Sequence, residues 1–168
     1  MQNFKEKLAK ISCFIFDVDG VLTNGQLIIM PDGELLRSMN IKDGYAMQLA
    51  IKKGYKIAII SGGKSEGVPQ RLQRLGITEI YMQTKNKVDV YKQLLDKWQL
   101  KNEQVCYMGD DVPDVAVMQL AGIATCPADA CQEVKQVAIY QSIQSGGNGC
   151  VRDIIEQAMR LQNTWSDL

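Results

Sequence analysis

The chain reads as an α/β protein, a doubly wound, Rossmann-like, mostly parallel sheet with helices on both faces. Three observations predict this. Five short apolar runs alternate with segments whose apolar residues fall three or four apart. The first run, Cys13 to Phe16, is continuously apolar, as a parallel strand covered on both faces requires. Two of the runs end abruptly in acids and glycine, at the edge where open α/β sheets place their ligand crevices.

Taken in order, the first strand covers Cys13 to Asp17, and Gly20 lets the backbone turn where it ends. Gln26 to Met30, Pro31-Asp32-Gly33 and Glu34 to Asn40 then break the α/β alternation and read as a β-hairpin, because Pro-Asp-Gly supplies turn geometry. Inserted directly after the acidic strand end, this hairpin is either a flap over the crevice or a plain surface connector. A helix over Gly44 to Lys53 leads to the strand Lys56 to Ser61, and a helix over Ser65 to Leu75 leads to the strand Ile77 to Met82. The helix Lys87 to Trp98 has Val88, Tyr91, Leu94, Leu95 and Trp98 on one face, spaced to pack on a sheet. The strand Val105 to Gly109 precedes a helix over Val112 to Leu120, where Pro113 suits the first turn. Gly122 to Cys126 is the fifth strand, Val137 to Tyr140 a possible sixth, and Val151 to Leu161 the last helix, preceded by the loop Ser145 to Gly149. Residues 1–168 make one domain of ordinary size, with no repeat, no low-complexity tract and no insertion large enough for a cap.

Composition removes several chemistries. Nineteen basic and nineteen acidic residues balance, so no field favours nucleic acid or an anionic membrane, and the expected partner is a small molecule or another copy of the chain. There is no histidine, which excludes histidine triads and histidine nucleophiles and leaves carboxylates, lysine, hydroxyls, thiols or a metal. The five cysteines form no C-x-x-C and have no arginine six positions later. An odd total without a secretory leader points to reduced, buried thiols in a cytoplasmic protein. The apolar runs fall far short of the roughly 20 residues of a membrane-spanning helix.

The chemistry concentrates at four places. Asp17 and Asp19 end the first strand. Ser61, Gly62, Gly63 and Lys64 follow the second, Lys87 opens a helix after the third, and Asp110, Asp111 and Asp114 end the fourth. Two adjacent carboxylates repel unless a cation, a donor or a shared proton intervenes. If strand alternation persists, Asp17 and Asp19 point the same way, and Asp110 and Asp114, four apart, look back at the same crevice. Oxygen ligands beside a phosphate-sized space select a hard cation, Mg2+. Taken singly, each site has a plainer account: the helix-start acids as caps, Ser61 as a cap, Lys87 as a solvated charge. Gly62-Gly63-Lys64-Ser65 imitates the end of a P-loop, but Ala58 occupies the place of its first glycine. Gly146 to Gly149 lacks dinucleotide spacing, since Arg152 stands where the last glycine would be.

As an ordered set, Asp17-Val18-Asp19-Gly20-Val21-Leu22-Thr23, Ser61-Gly62, Lys87 and Gly109-Asp110-Asp111-x-x-Asp114 resemble the four motifs of the haloacid dehalogenase superfamily of phosphotransferases, across nearly the whole chain. The resemblance implies that Asp17 attacks phosphorus and that Asp19 protonates the leaving alcohol and then activates water. It implies that Ser61 and Gly62 hold phosphoryl oxygens, that Lys87 neutralises charge, and that Mg2+ binds Asp17, the Asp19 carbonyl and Asp110. Asp111 and Asp114 would support these. The short length, the hairpin, Lys42-Asp43-Gly44-Tyr45 and Gly146-Gly147-Asn148-Gly149-Cys150-Val151-Arg152 resemble the capless branch acting on keto-deoxy sugar acid phosphates. That branch implies an eight-carbon lipopolysaccharide precursor as substrate, or a nine-carbon acid as the alternative. It also implies a homotetramer whose neighbouring subunits cover the active sites. Sugar or phosphate contacts would come from Thr23, Gly62, Lys42, Lys64 and Arg152. Many members have arginine at the positions of Lys42 and Gly63, and here Lys64 follows Gly63. Of the rivals, a phospho-acceptor receiver module needs an aspartate ending the third strand, where the chain offers only Glu79 near its start. A catalytically silent subunit would lack a catalytic position, and none is missing.

Overall fold

The computed structural model describes residues 3–166; residues 1–2 and 167–168, the ends of the expected domain, lie outside the described residues. The strands are β1 (Cys13–Phe16), the hairpin pair β2 (Ile28–Ile29) and β3 (Leu35–Leu36), then β4 (Lys56–Ile60), β5 (Glu79–Tyr81), β6 (Val105–Met108), β7 (Ile123–Cys126) and β8 (Tyr140–Gln141). Apart from the antiparallel β2–β3 pair, they form one six-stranded sheet in the order β5-β4-β1-β6-β7-β8, and every pairing in it is parallel. The helices are α1 (Phe4–Leu8), α2 (Ile41–Lys52), α3 (Gly67–Arg74), α4 (Lys87–Trp98), α5 (Val115–Met118), α6 (Gln132–Val137) and α7 (Cys150–Leu161).

Strand alternation sorts the core into two layers. Phe14, Phe16, Ile57, Ile59, Cys106 and Met108 pack with residues of α1, α2, α3 and α7, including Met47, Leu72 and Ile154. Cys13, Ile15, Ala58, Ile60, Val105 and Tyr107 pack with Tyr91, Leu94, Val117 and Val134 from α4, α5 and α6. Both faces are therefore covered, which is why the strands are continuously apolar. Each fully buried large side chain contributes roughly 1.5–3 kcal/mol. Four of the five cysteines are buried within these layers or at their edge, and Cys131 is half-buried.

The topology creates a single switch point. From β1 the chain builds outward through β4 and β5, then returns to β6 on the other side of β1 and continues through β7 to β8. The connections after β1 and β6 thus leave in opposite directions, opening a crevice at their carboxyl ends. Asp17 follows β1 and Asp110 follows β6 by two residues.

Several boundaries differ from those read in the sequence. Helix α2 begins at Ile41 rather than Gly44, because the Asn40 side chain caps it by accepting from the Lys42 amide at 2.8 Å. Val112 to Leu120 is not one helix: a 3-10 turn over Val112–Asp114 precedes the four-residue α5. Val137 closes α6, and the sixth strand is only Tyr140–Gln141. The hairpin is present, but its ladder is two residues per arm and wholly exposed. Helices α1 and α6, five and six residues long, are too short to show a period in the sequence.

Candidate active site

The backbone leaves β1 into a tight turn over Val18–Leu22, with Gly20 at φ 86°. Asp17 keeps strand spacing, but Asp19 reaches the crevice from the turn and not by strand alternation. A Cβ at Gly20 would stand 1.9 Å from Asp110 Oδ2, so this position needs both the left-handed conformation and the missing side chain. Gly20→Ala is accordingly expected to destabilise the protein by about 1–2 kcal/mol from backbone strain. It should also displace the Asp110 carboxylate, raising the Mg2+ concentration needed for half-maximal activity at least about tenfold. A Mg2+ titration of activity checks this; an unchanged midpoint would show that Asp110 is not held against the turn.

Around the switch point lies a pocket of about 620 Å³ lined by Asp17, Asp19, Ser61, Gly62, Lys87, Asp110, Asp111 and Asp114, among others. All four sequence motifs therefore meet in one crevice. Asp17 is buried, its Oδ1 accepting from the Val18 amide at 2.7 Å and its Oδ2 lying 3.0 Å from Lys87 Nζ. Lys87 is buried at the start of α4 and donates to Asp114 Oδ1 at 2.7 Å, so it is not a solvated surface charge. Asp114 also accepts from the Tyr107 hydroxyl at 2.6 Å and from the Asp110 amide at 3.3 Å. It is fully buried and holds Lys87 in place rather than capping a helix. The capping account does hold for exposed Asp111, which accepts from the Val112 amide at 2.8 Å. Ser61 does not cap a helix; its Oγ accepts from the Gly63 amide at 3.1 Å at the carboxyl end of β4.

Carboxylate oxygens of Asp17, Asp110 and Asp114 lie within 4.8 Å of one another. Burial, then repulsion from Asp114, pushes the Asp17 pKa up to about 6 despite the opposing Lys87 charge. Burial and the charges of Asp17, Asp114 and Asp111 push Asp110 up to about 8. Burial works against the Lys87 ammonium, but Asp17 and Asp114 outweigh it and its pKa is raised. Asp110 Oδ1 is buried and has no hydrogen-bond partner among the described residues. A crowded, all-oxygen set with one orphaned oxygen fits a hard cation, which would satisfy that atom and relieve the repulsion. Asp17 and Asp110 have oxygens to offer it, whereas Asp114 is already engaged by Lys87, Tyr107 and the Asp110 amide.

The other residues read from the sequence lie elsewhere. Thr23 is fully buried, its hydroxyl accepting from the Gly20 and Gly25 amides at 3.3 and 3.2 Å, which braces the turn. Lys64 is exposed outside the pocket lining, with its carbonyl accepting from Arg37. Lys42 and Arg152 line a second pocket of about 470 Å³ with Asn148, Glu156 and Arg160. The receiver alternative gains nothing: Glu79 on β5 is engaged by Lys97 and Tyr81 and does not line the acidic pocket. Two side chains escaped the sequence reading. Tyr107 orders Asp114 from inside β6, and the hairpin's Arg37 grips Asp19 through Nε at 2.6 Å and Nη2 at 3.0 Å. The one available signal for Arg37 was a lone arginine on a hairpin inserted beside two acids.

Residues 73–154 match a family model described as haloacid dehalogenase-like hydrolase. The chain is 36% identical to 3-deoxy-D-manno-octulosonate 8-phosphate phosphatase of Escherichia coli over 156 residues, 93% of this chain and 83% of that protein. It belongs to the haloacid dehalogenase-like hydrolases. Within them its relatives are the 3-deoxy-D-manno-octulosonate 8-phosphate phosphatases. The crystal structure of that enzyme from Yersinia pestis superimposes with a TM-score of 0.93 at 34% identity, covering 95% of this chain and 86% of that one. The Moraxella catarrhalis enzyme, solved in complex with magnesium, phosphate and KDO, superimposes with a TM-score of 0.91 at 31% identity, covering 95% and 91%. The resemblance read from the motifs is borne out in this haloacid dehalogenase-like phosphatase.

Proposed function

We propose that this phosphatase hydrolyses 3-deoxy-D-manno-octulosonate 8-phosphate, with Asp17 as the nucleophile. The observation that carries the reading is the placement of Asp17: a buried carboxylate at the switch point, 3.0 Å from Lys87 and beside the orphaned Asp110 oxygen. An Asp17 oxygen attacks phosphorus, the bond to the sugar oxygen breaks, and Asp19 gives that oxygen its proton. Water then loses a proton to Asp19 and attacks the aspartyl phosphate, releasing phosphate and restoring Asp17. The Ser61 hydroxyl and the Gly62 amide hold phosphoryl oxygens, and Lys87 offsets their charge while Asp114 keeps it aimed. Mg2+, held by Asp17, the Asp19 carbonyl and Asp110, would supply further neutralisation of the phosphoryl charge.

The hairpin supports a homotetramer in which neighbouring subunits cover the sites. Leu27, Ile28 and Ile29 on one arm and Leu35 and Leu36 on the other are exposed, and such apolar residues held out on a hairpin suit burial against another subunit. A cytoplasmic setting agrees with the unpaired, mostly buried thiols, and among the described residues no helix is long and apolar enough to cross a membrane.

A side-by-side assay of the eight- and nine-carbon sugar acid phosphates, with and without Mg2+, tests the assignment. The eight-carbon substrate should give the higher kcat/KM and EDTA should abolish turnover. A nine-carbon preference of about tenfold or more would transfer the assignment to that acid.

A further inference from the structure

Both carboxylate oxygens of Asp19 are taken by one guanidinium: Arg37 Nε donates to Oδ1 at 2.6 Å and Nη2 to Oδ2 at 3.0 Å. In this arrangement one acceptor site on each oxygen is taken, and the carboxylate is fixed in the plane of the guanidinium, turned to Arg37 rather than to a leaving group. Arg37 belongs to the hairpin side of the crevice, and its Nη1 also reaches the Leu35 carbonyl at 3.1 Å and the Lys64 carbonyl at 3.3 Å. One side chain thus ties the flap, the turn after β1 and the loop after β4 together. Room for it comes from Gly63, where a Cβ would stand 2.7 Å from Asp19 Oδ2 and 3.3 Å from Arg37 Nη2. The other cation at the centre, Lys87, is held by Asp17 and Asp114 and in the proposed reaction serves the phosphoryl oxygens, which leaves Arg37 for the substrate's carboxylate.

We propose that Arg37 is a specificity latch that leaves Asp19 for the carboxylate of the bound sugar acid, freeing Asp19 to meet the leaving oxygen. This rests on the substrate class assigned above. A planar guanidinium fork matches any carboxylate in the same two-pronged way, so exchanging Asp19 for a substrate carboxylate replaces like with like and costs little. A phosphate ester without a carboxylate offers no such exchange, and Asp19 stays engaged. The latch therefore selects acidic sugar phosphates by the far end of the substrate.

The test uses the full chain with Mg2+ and compares the parent, Arg37→Gln and Arg37→Lys on the eight-carbon sugar acid phosphate and on a neutral hexose 6-phosphate. The ratio of the two kcat/KM values should fall at least about tenfold in Arg37→Gln and by less in Arg37→Lys, which keeps a charge but loses the fork. Calorimetry with the phosphate-free sugar acid should show Kd at least about tenfold higher in Arg37→Gln, an effect that mere orientation of Asp19 would not produce. A ratio and a Kd within about twofold of the parent, with measurable turnover, would overturn the latch alone. A parent enzyme inactive on the sugar acid phosphate would overturn the substrate assignment and the latch with it.

Discussion

Asp17→Asn is expected to lower phosphate release at least about a thousandfold while leaving the protein folded. The amide has the same shape, so its oxygen can still accept from the Val18 amide, which now meets Oδ1 at 2.7 Å. It is no longer a nucleophile, however, and no other carboxylate occupies that position: Asp19 is gripped by Arg37 and Asp114 by Lys87 and Tyr107. Removing one charge from a buried group whose pKa is pushed up to about 6 by burial and by Asp114 should hold or raise the melting temperature. Activity and stability should therefore move apart. Turnover within about tenfold of the parent, in a variant that melts normally, would show that another group attacks phosphorus.

Asp110→Asn should abolish the response to Mg2+ and lower activity about a hundredfold or more. In the protein without cation, Asp110 is raised from 3.8 to about 8, by burial first and then by its acidic neighbours. Because the folded state holds that proton more tightly than the unfolded state, stability is lost as pH climbs from roughly 4 to 8. The cost is absent below that window and complete above it. Thermal melts in EDTA should therefore show the parent weakening as pH rises from 5 to 8, and the asparagine variant weakening less. Added Mg2+ competes with the proton, so its stabilising shift in the parent should grow over the same range and vanish in the variant. A Mg2+ shift that survives in Asp110→Asn would place the cation elsewhere.

Most of the fold was legible because it follows from local pattern. Continuous apolar runs such as Phe14 to Phe16 and Ile57 to Ile60 suit strands covered on both faces, and their alternation with periodic segments favoured a parallel sheet. Elements without a period were not legible. Helix α6 runs for six residues and ends on Val137, whose β-branched side chain resembles a strand residue, so the true β8 lies slightly further on. Asp17 and Asp19 stood out because carboxylates ending a buried strand demand compensation, whereas Lys87 and Asp110 were legible only as members of the ordered motif set. Within the same motifs, the Thr23 hydroxyl braces a turn and the Asp111 carboxylate caps a helical start.

What the order of residues determined by itself is the kind of site: which segments are strands, which acids end them, and hence a hard-cation site without histidine, to which the resemblance of its motifs to the haloacid dehalogenase superfamily added phosphoryl transfer. Only the tertiary structure decided which charges meet. Lys87 bridging Asp17 and Asp114, Tyr107 donating to Asp114, and Arg37 closing on Asp19 over Gly63 join residues up to 70 positions apart, from Asp17 to Lys87. Such pairings depend on strand order and on where a flap folds back. Neither leaves a local trace in the chain, because the energy of an ion pair is set by distance and burial in space and not by separation in sequence.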